Sequence, residues 1–192
     1  MRKNRQPTQK PQQAFTLIEL MVTISLLAII TAIALPNLRD FVVGNRLSAN
    51  VNGFIGVLSY ARSEAIVRNQ RIIVCAKKNG ANGCEADDDW GRYEIQVFVD
   101  EDGSNTRNGD EVPIKTFAAV DPSGLQFKFK KVQGPDVIGF QSGGLGTNTY
   151  RFEINVIDSA DTAYEIKYGR TVCISRPGRA RVIPFTSSAC PA

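Results

Sequence analysis

Between Phe15 and Leu35 the chain runs for 21 residues with Glu19 as its only charge. That length of apolar sequence suits one helical crossing of a bilayer. Apolar residues then recur at Leu47, Val51, Phe54, Ile55, Leu58, Ala61 and Ala65, with Arg46, Asn50, Asn52, Ser59 and Arg62 between them. The spacing is helical, so the helix is predicted to continue with one face packed on a domain. Pro36 lies between two apolar segments of this pattern and is expected to kink the helix without ending it. A helix from Phe15 to about Asn69, rising 1.5 Å per residue, spans roughly 80 Å. Gly44, Gly53 and Gly56 each cost about 1 kcal/mol relative to alanine, so this second half needs tertiary support.

From Arg71 onward the period changes to two. Segments 72–76, 93–99, 125–131, 150–157, 164–168, 171–175 and 180–185 read as strands, and Leu125-Gln126-Phe127-Lys128-Phe129-Lys130 alternates cleanly. Tyr168-Gly169-Arg170 and Arg176-Pro177-Gly178-Arg179 have the composition of hairpin tips. A long helix followed by mostly antiparallel strands defines an α+β domain. The expected organisation is a leader at 1–14, a membrane or filament-core helix at 15–35, its amphipathic continuation at 36–69, and a β domain at 70–192.

Charge changes this picture at both ends. Residues 1–14 carry Arg2, Lys3, Arg5 and Lys10 and no acid, which places that end in the cytoplasm and the remainder outside. The net charge of +4 resides entirely in this arm, so the rest of the chain balances 19 basic against 19 acidic residues. Attraction to a polyanion therefore has to come from a local patch. Such a patch exists beyond Glu165, where no acid follows and Lys167, Arg170, Arg176, Arg179 and Arg181 remain. Arg179 and Arg181 share strand parity, and guanidinium forks suit phosphate oxygens. Lys128 and Lys130 also share parity and are candidates to extend the patch. The competing reading is a solvated hairpin kept soluble by its charge.

The opposite bias lies in 85–111, with ten acids against Arg92 and Arg107. There Asp100-Glu101-Asp102-Gly103-Ser104-Asn105 offers alternating oxygen ligands for a hard cation, but lacks the ligand order of an EF-hand. A solvated acidic loop is the preferred reading, and no metal or cofactor is expected. Cys75, Cys84, Cys173 and Cys190 are an even set in a segment assigned to an oxidising compartment. Of their three pairings, sequence proximity favours Cys75–Cys84 and Cys173–Cys190. The chain has no histidine and no G-x-S-x-G elbow, and two bridges leave no free thiol, so the common hydrolytic triads are excluded and no enzyme is expected.

A carboxylate inside a spanning segment costs roughly 2 to 3 kcal/mol, so Glu19 is a functional-site candidate by default. The surrounding Phe15-Thr16-Leu17-Ile18-Glu19-Leu20, with the basic arm before it and Pro36 beyond it, resembles the class III signal of type IV pilins and type II secretion pseudopilins. The resemblance implies cleavage by a prepilin peptidase between Ala14 and Phe15 and methylation of the new amine. Ala14 stands where the family usually has glycine. It also implies that Glu19 neutralises the Phe15 amine of a neighbouring subunit, with Pro36 a second assembly position. An ordinary secretory signal fits poorly, because there the apolar run precedes the cut.

The segment from about Cys75 to Cys190 resembles the GspH/FimT subfamily of minor pilins and pseudopilins. Its recognisable pieces are Asp89-Trp90-Gly91, Val97-Phe98-Val99-Asp100, Ile138-Gly139-Phe140 and Cys173-Ile174 before Gly178-Arg179-Ala180-Arg181. In FimT-like members a C-terminal G-R-x-R motif with an upstream arginine is implicated in DNA binding during natural transformation. Gly178, Arg179 and Arg181 match that motif, and Arg176 occupies the place of the upstream arginine. The expected protein is a minor type IV pilin, single-pass in the bacterial inner membrane with a periplasmic domain. It would enter a pilus with other major and minor pilins and bind double-stranded DNA without sequence preference. The alternatives are an H-type minor pseudopilin of a type II secretion system, partnered by other pseudopilins, or a minor pilin serving assembly alone.

Overall fold

The helix begins where the sequence supplies a cap. Thr16 accepts the Glu19 amide on its hydroxyl at 3.3 Å, and its carbonyl accepts the Leu20 amide. Thr16 and Glu19 thus stand in the positions of a capping box, which satisfies amides that a helix start leaves open. In the computed structural model of the chain, residues 15–77, 84, 89–107, 111–121, 127–157, 166–185 and 190 are described. Ala14 and the rest of 1–14 lie outside them, as does the side chain of Pro36. The chain divides into two compact units, Met1–Phe41 and Val42–Ala192. Helix α1 is assigned over Leu17–Arg68.

In the first unit the apolar side chains of α1 are exposed, from Phe15 through Phe41. Its few hydroxyls turn back onto the helix. Thr23 donates to Leu20 O, Ser25 to Met21 O and Thr31 to Leu27 O, at 2.7–2.8 Å. A helix meeting lipid must satisfy its polar groups internally, and these do. This segment is long and apolar enough to cross a membrane.

In the second unit α1 contributes Leu47, Val51, Phe54, Val57, Leu58, Ala61 and Ala65 to the core, and Ile55 is partly buried. Two four-stranded antiparallel sheets complete it. The first has the order β3 (Pro113–Phe117), β2 (Glu94–Val99), β1 (Ile72–Lys77), β5 (Ile138–Phe140). The second has the order β4 (Phe127–Gln133), β6 (Tyr150–Val156), β7 (Arg170–Ile174), β8 (Ala180–Pro184). Phe54 packs edge-on against Trp90, Phe129 and Phe152, with centroids 5.1–6.4 Å apart. Such pairs add about 0.5–1.5 kcal/mol each beyond area burial.

Asp89-Trp90-Gly91 is structural. The Asp89 carboxylate accepts the Gly91 and Phe129 amides at 3.3 and 3.1 Å, which docks the 3-10 turn Trp90–Arg92 on β4. A Cβ at Gly91 would come within 2.9 Å of the Phe129 ring. Cysteine bridges join Cys75 to Cys84 and Cys173 to Cys190, with Cα separations of 5.5 and 5.7 Å.

Two strand expectations require correction. Residues 166–168 form a helical turn, so the strand expected at 164–168 and the hairpin tip at Tyr168-Gly169-Arg170 do not form among the described residues. β3 and β5 were not expected. β5 has only three residues and β3 opens with a proline at a sheet edge, so neither offers an alternation long enough to read.

Candidate functional site: an arginine turn beside the helix

The β7–β8 connection builds the site. Gly178 N–H donates to Ser175 O at 2.8 Å, and Ser175 N–H donates to Arg179 O at 3.1 Å, closing a tight reversal. Gly178 sits at φ +75°, the left-handed region that favours glycine. Space imposes the same choice, because a Cβ there would lie 2.3 Å from Gly144 O. The turn is also tied to the preceding loop, since Gly146 N–H donates to Arg176 O at 2.8 Å. Arg176, Arg179 and Arg181 are exposed around a buried Gly178, and none has an ion pair among the described residues.

The strand register fixes what lies around them. Arg179 carries the carbonyl facing Ser175, and Arg181 stands opposite Cys173, which stands opposite Arg151. Cross-strand partners share a face, so Arg181, Cys173 and Arg151 lie on one side of the second sheet. The Cys173–Cys190 bridge therefore anchors residue 190 on that side. Lys128 and Lys130 are exposed on β4, opposite Asn155 and Glu153. They share the arginines' face, but β4 and β8 are opposite edges, three strand spacings or about 14 Å apart. The Arg151–Glu153 ion pair, at 2.8 Å, stands between. The lysines therefore form a second basic spot, not a continuation of the first.

Beside the turn is a cleft of ≈560 Å³ between α1 and the edge strand β8. From the helix it is lined by Ile55, Leu58, Ser59, Arg62, Ser63 and Ile66, and from the hairpin by residues 178–181. No acid lines it. Arg62 was legible in the sequence only as a polar position on the helix. Its Nε donates to Gly144 O at 3.0 Å, the same carbonyl that forbids a side chain at Gly178.

The acidic loop is organised differently. Carboxylate oxygens of Asp100, Asp102 and Glu111 lie within 4.8 Å of one another. Asp100 is buried and paired with Arg71 at 3.2 Å, Glu111 accepts the Glu101 amide, and Asp102 accepts the Ser104 amide. Burial raises the Asp100 carboxyl above its usual pKa, and Arg71 opposes that shift. Glu111 and Asp102 thus already serve the loop's own amides and Asp100 is held by its ion pair with Arg71, and we assign no metal to them.

The family model for prokaryotic N-terminal methylation motifs matches residues 9–35. Two fimbrial proteins of Pseudomonas aeruginosa are 30% identical over 101 residues, covering 50% of this chain. The chain spans 65% of the length of those relatives. The structure of the type IV minor pilin FimU of Pseudomonas aeruginosa aligns with TM-score 0.54 at 21% identity, covering 74% of this chain and 92% of that one. The minor pseudopilin EpsH of Vibrio cholerae aligns at TM-score 0.43 and 16% identity, over 74% of this chain and 99% of that one. The FimU likeness concerns the fold: a long N-terminal helix with antiparallel sheets. The model for the type II transport protein GspH matches residues 50–178, from the packed half of α1 to the glycine of the arginine turn, and with that span matched the chain belongs to the GspH family of pilin-like proteins.

Proposed function

We propose that this chain is a minor type IV pilin that enters a pilus and binds DNA through the phosphate backbone during DNA uptake. The observation that carries the reading is the β7–β8 turn, where three exposed arginines, without an ion pair among the described residues, surround a glycine locked by both φ and space. A rigid backbone presenting guanidinium forks reads phosphate geometry and no base edges, so binding is independent of sequence and falls steeply with salt. Arg176, Arg179 and Arg181 make the primary contacts. Lys128 and Lys130 contribute secondary ones from the far edge of the same sheet face. The chain outside the leader is electrically balanced and has an acidic loop, so affinity per subunit is micromolar or weaker. Other pilins surround the subunit in the filament, the apolar half of α1 holds it in the inner membrane before assembly, and a prepilin peptidase processes it at Ala14–Phe15. Structural subunits of this kind catalyse nothing.

The test is fluorescence polarisation of a labelled 20-bp duplex with the full chain in a nonionic detergent, at two salt concentrations and with two unrelated sequences. Binding that is equal for both sequences, weaker at higher salt and lost in Arg179→Gln/Arg181→Gln supports the reading. No binding by the unmutated chain at low salt overturns it. A second reading, an H-type minor pseudopilin of a type II secretion system, is favoured by the description of the matching family. It takes over in that outcome, with crosslinking to other pseudopilins as its own test.

A further inference from the structure

Arg62 is 82 positions from Gly144, yet the two share a hydrogen bond at the foot of the arginine turn. The helix brings Ser59, Arg62, Ser63 and Ile66 to one face by their spacing of three and four residues, and all four line the cleft against the hairpin. Arg62 is half-buried, and its stem fills the space that side chains at 144 and 178 would need: added Cβ atoms would meet it at 3.3 and 3.2 Å. Its Nε is spent on Gly144 O, and its terminal Nη groups have no partner among the described residues. A guanidinium held at its Nε and open at the other edge keeps two donors in a fixed orientation. Ser59 and Ser63, both exposed, place hydroxyls one turn apart beside it.

We propose that Arg62 is a further phosphate-contacting residue, so that the DNA backbone follows the cleft between α1 and β8 and does not merely touch the turn. The inference rests on the DNA-binding reading above and deepens it by naming the path of the polyanion. The chemistry agrees on three counts. The cleft is lined by Arg62, Arg179 and Arg181 and, among the described residues, by no acid. The serine hydroxyls donate to phosphate oxygens without adding charge. Arg62 loses less freedom on binding than an exposed arginine, because its stem is already packed and its Nε bonded.

The experiment measures the salt dependence of duplex affinity for the full chain in detergent, with Arg62→Gln, Arg62→Lys and Ser59→Glu. Each phosphate contact contributes about 0.9 to the slope of log K against log salt. Arg62→Gln should weaken binding roughly three- to tenfold and lower the slope by about 0.9. Arg62→Lys should keep the unmutated slope, because the charge stays. Ser59→Glu, an exposed position that does not endanger folding, should weaken binding at least as much as Arg62→Gln. The inference is overturned if Arg62→Gln binds like the unmutated chain, or weakens it with the slope unchanged, since Arg62 would then only support the turn. Normal binding by Ser59→Glu would exclude the cleft as the path. If the unmutated chain binds and Arg179→Gln/Arg181→Gln does not, the DNA reading survives either of these failures. Absence of binding by the unmutated chain would remove both.

Discussion

Gly178→Ala tests whether the motif glycine is there for the backbone. The substitution forces an L-residue to φ +75°, which costs about 1–2 kcal/mol. It also places a Cβ 2.3 Å from Gly144 O, a backbone atom that is itself hydrogen-bonded by Arg62 Nε. No flexible side chain can yield there, so the hairpin or the loop must shift, at a further cost of about 1–2 kcal/mol by analogy with overpacking. The expected loss is about 2–4 kcal/mol. Trp90 is the only tryptophan and is fully buried in the core, so its fluorescence reports unfolding of the second unit in urea. With a slope of about 2 kcal/mol/M, the midpoint should fall by about 1 to 2 M. Gly56→Ala is the opposing control: nothing lies within 4 Å of its added Cβ, and it should stabilise by about 0.5–1 kcal/mol. A Gly178→Ala midpoint within about 0.2 M of the unmutated chain, a loss of under about 0.5 kcal/mol at that slope, would refute the steric argument. The glycine would then need another explanation.

Four further outcomes are expected. In cells with a prepilin peptidase, intact mass should show a chain beginning at an N-methylated Phe15; a retained leader would remove the processing assignment. Glu19→Ala should leave membrane insertion and the helix start intact, because Thr16 still caps it, while immunoblots of sheared pili should show the subunit depleted; normal incorporation would deny Glu19 an assembly role. Reduction of Cys75–Cys84 and Cys173–Cys190, which close separations of 9 and 17 residues, should cost about 2–3 kcal/mol each in urea melts; unchanged melts would mean the bridges add nothing. Burial raises the Asp100 carboxyl, so folding favours its protonated form. Its contribution to stability should therefore decline as pH rises from the unfolded value of about 4 through the raised folded value. Relative to the unmutated chain, Asp100→Asn should gain stability over that window; a constant difference between the two would show that Asp100 does not titrate there.

The long-period features were legible because each rests on one dominant force. Glu19 as the lone charge in an apolar run, and the Leu47–Ala65 stripe, follow from water exclusion and helix geometry alone, and the structure buries almost the stripe that the spacing names, adding Val57. Strands with a complete alternation, such as Tyr150–Val156 with its alternating burial, were equally open to reading. The helical turn at 166–168 was not, since an apolar-polar string of five residues fits strand or helix until a neighbour decides. The site was half legible. Three arginines around Pro177-Gly178 stand out in the chain, but the reason for the glycine lies in Gly144, 34 residues earlier, and Arg62 looked like any polar helix position. Contacts between distant segments leave no periodic trace in sequence.

Placement also decides how far the charges can cooperate. Lys128 and Lys130 share parity with each other and a sheet face with Arg181, and sequence parity alone would merge them into one patch. The register separates them by two strands, one of which carries the Arg151–Glu153 pair. Glu153 lies directly opposite Lys130, so part of that lysine's field is cancelled before any phosphate arrives. Among the described residues the arginine turn has no such neighbour, and its adjoining cleft adds a fourth guanidinium without adding an acid. On the proposed reading, one subunit therefore offers a small number of strong contacts at one edge and weaker ones across the sheet. That is too few for tight capture at physiological salt, where each contact loses affinity with ionic strength. Repetition of the subunit, or its placement beside other basic pilins, would raise the effective concentration of a second contact once the first is made. Affinity measured on isolated chains should then understate capture by filaments, and the gap between the two should widen for duplexes long enough to reach more than one subunit.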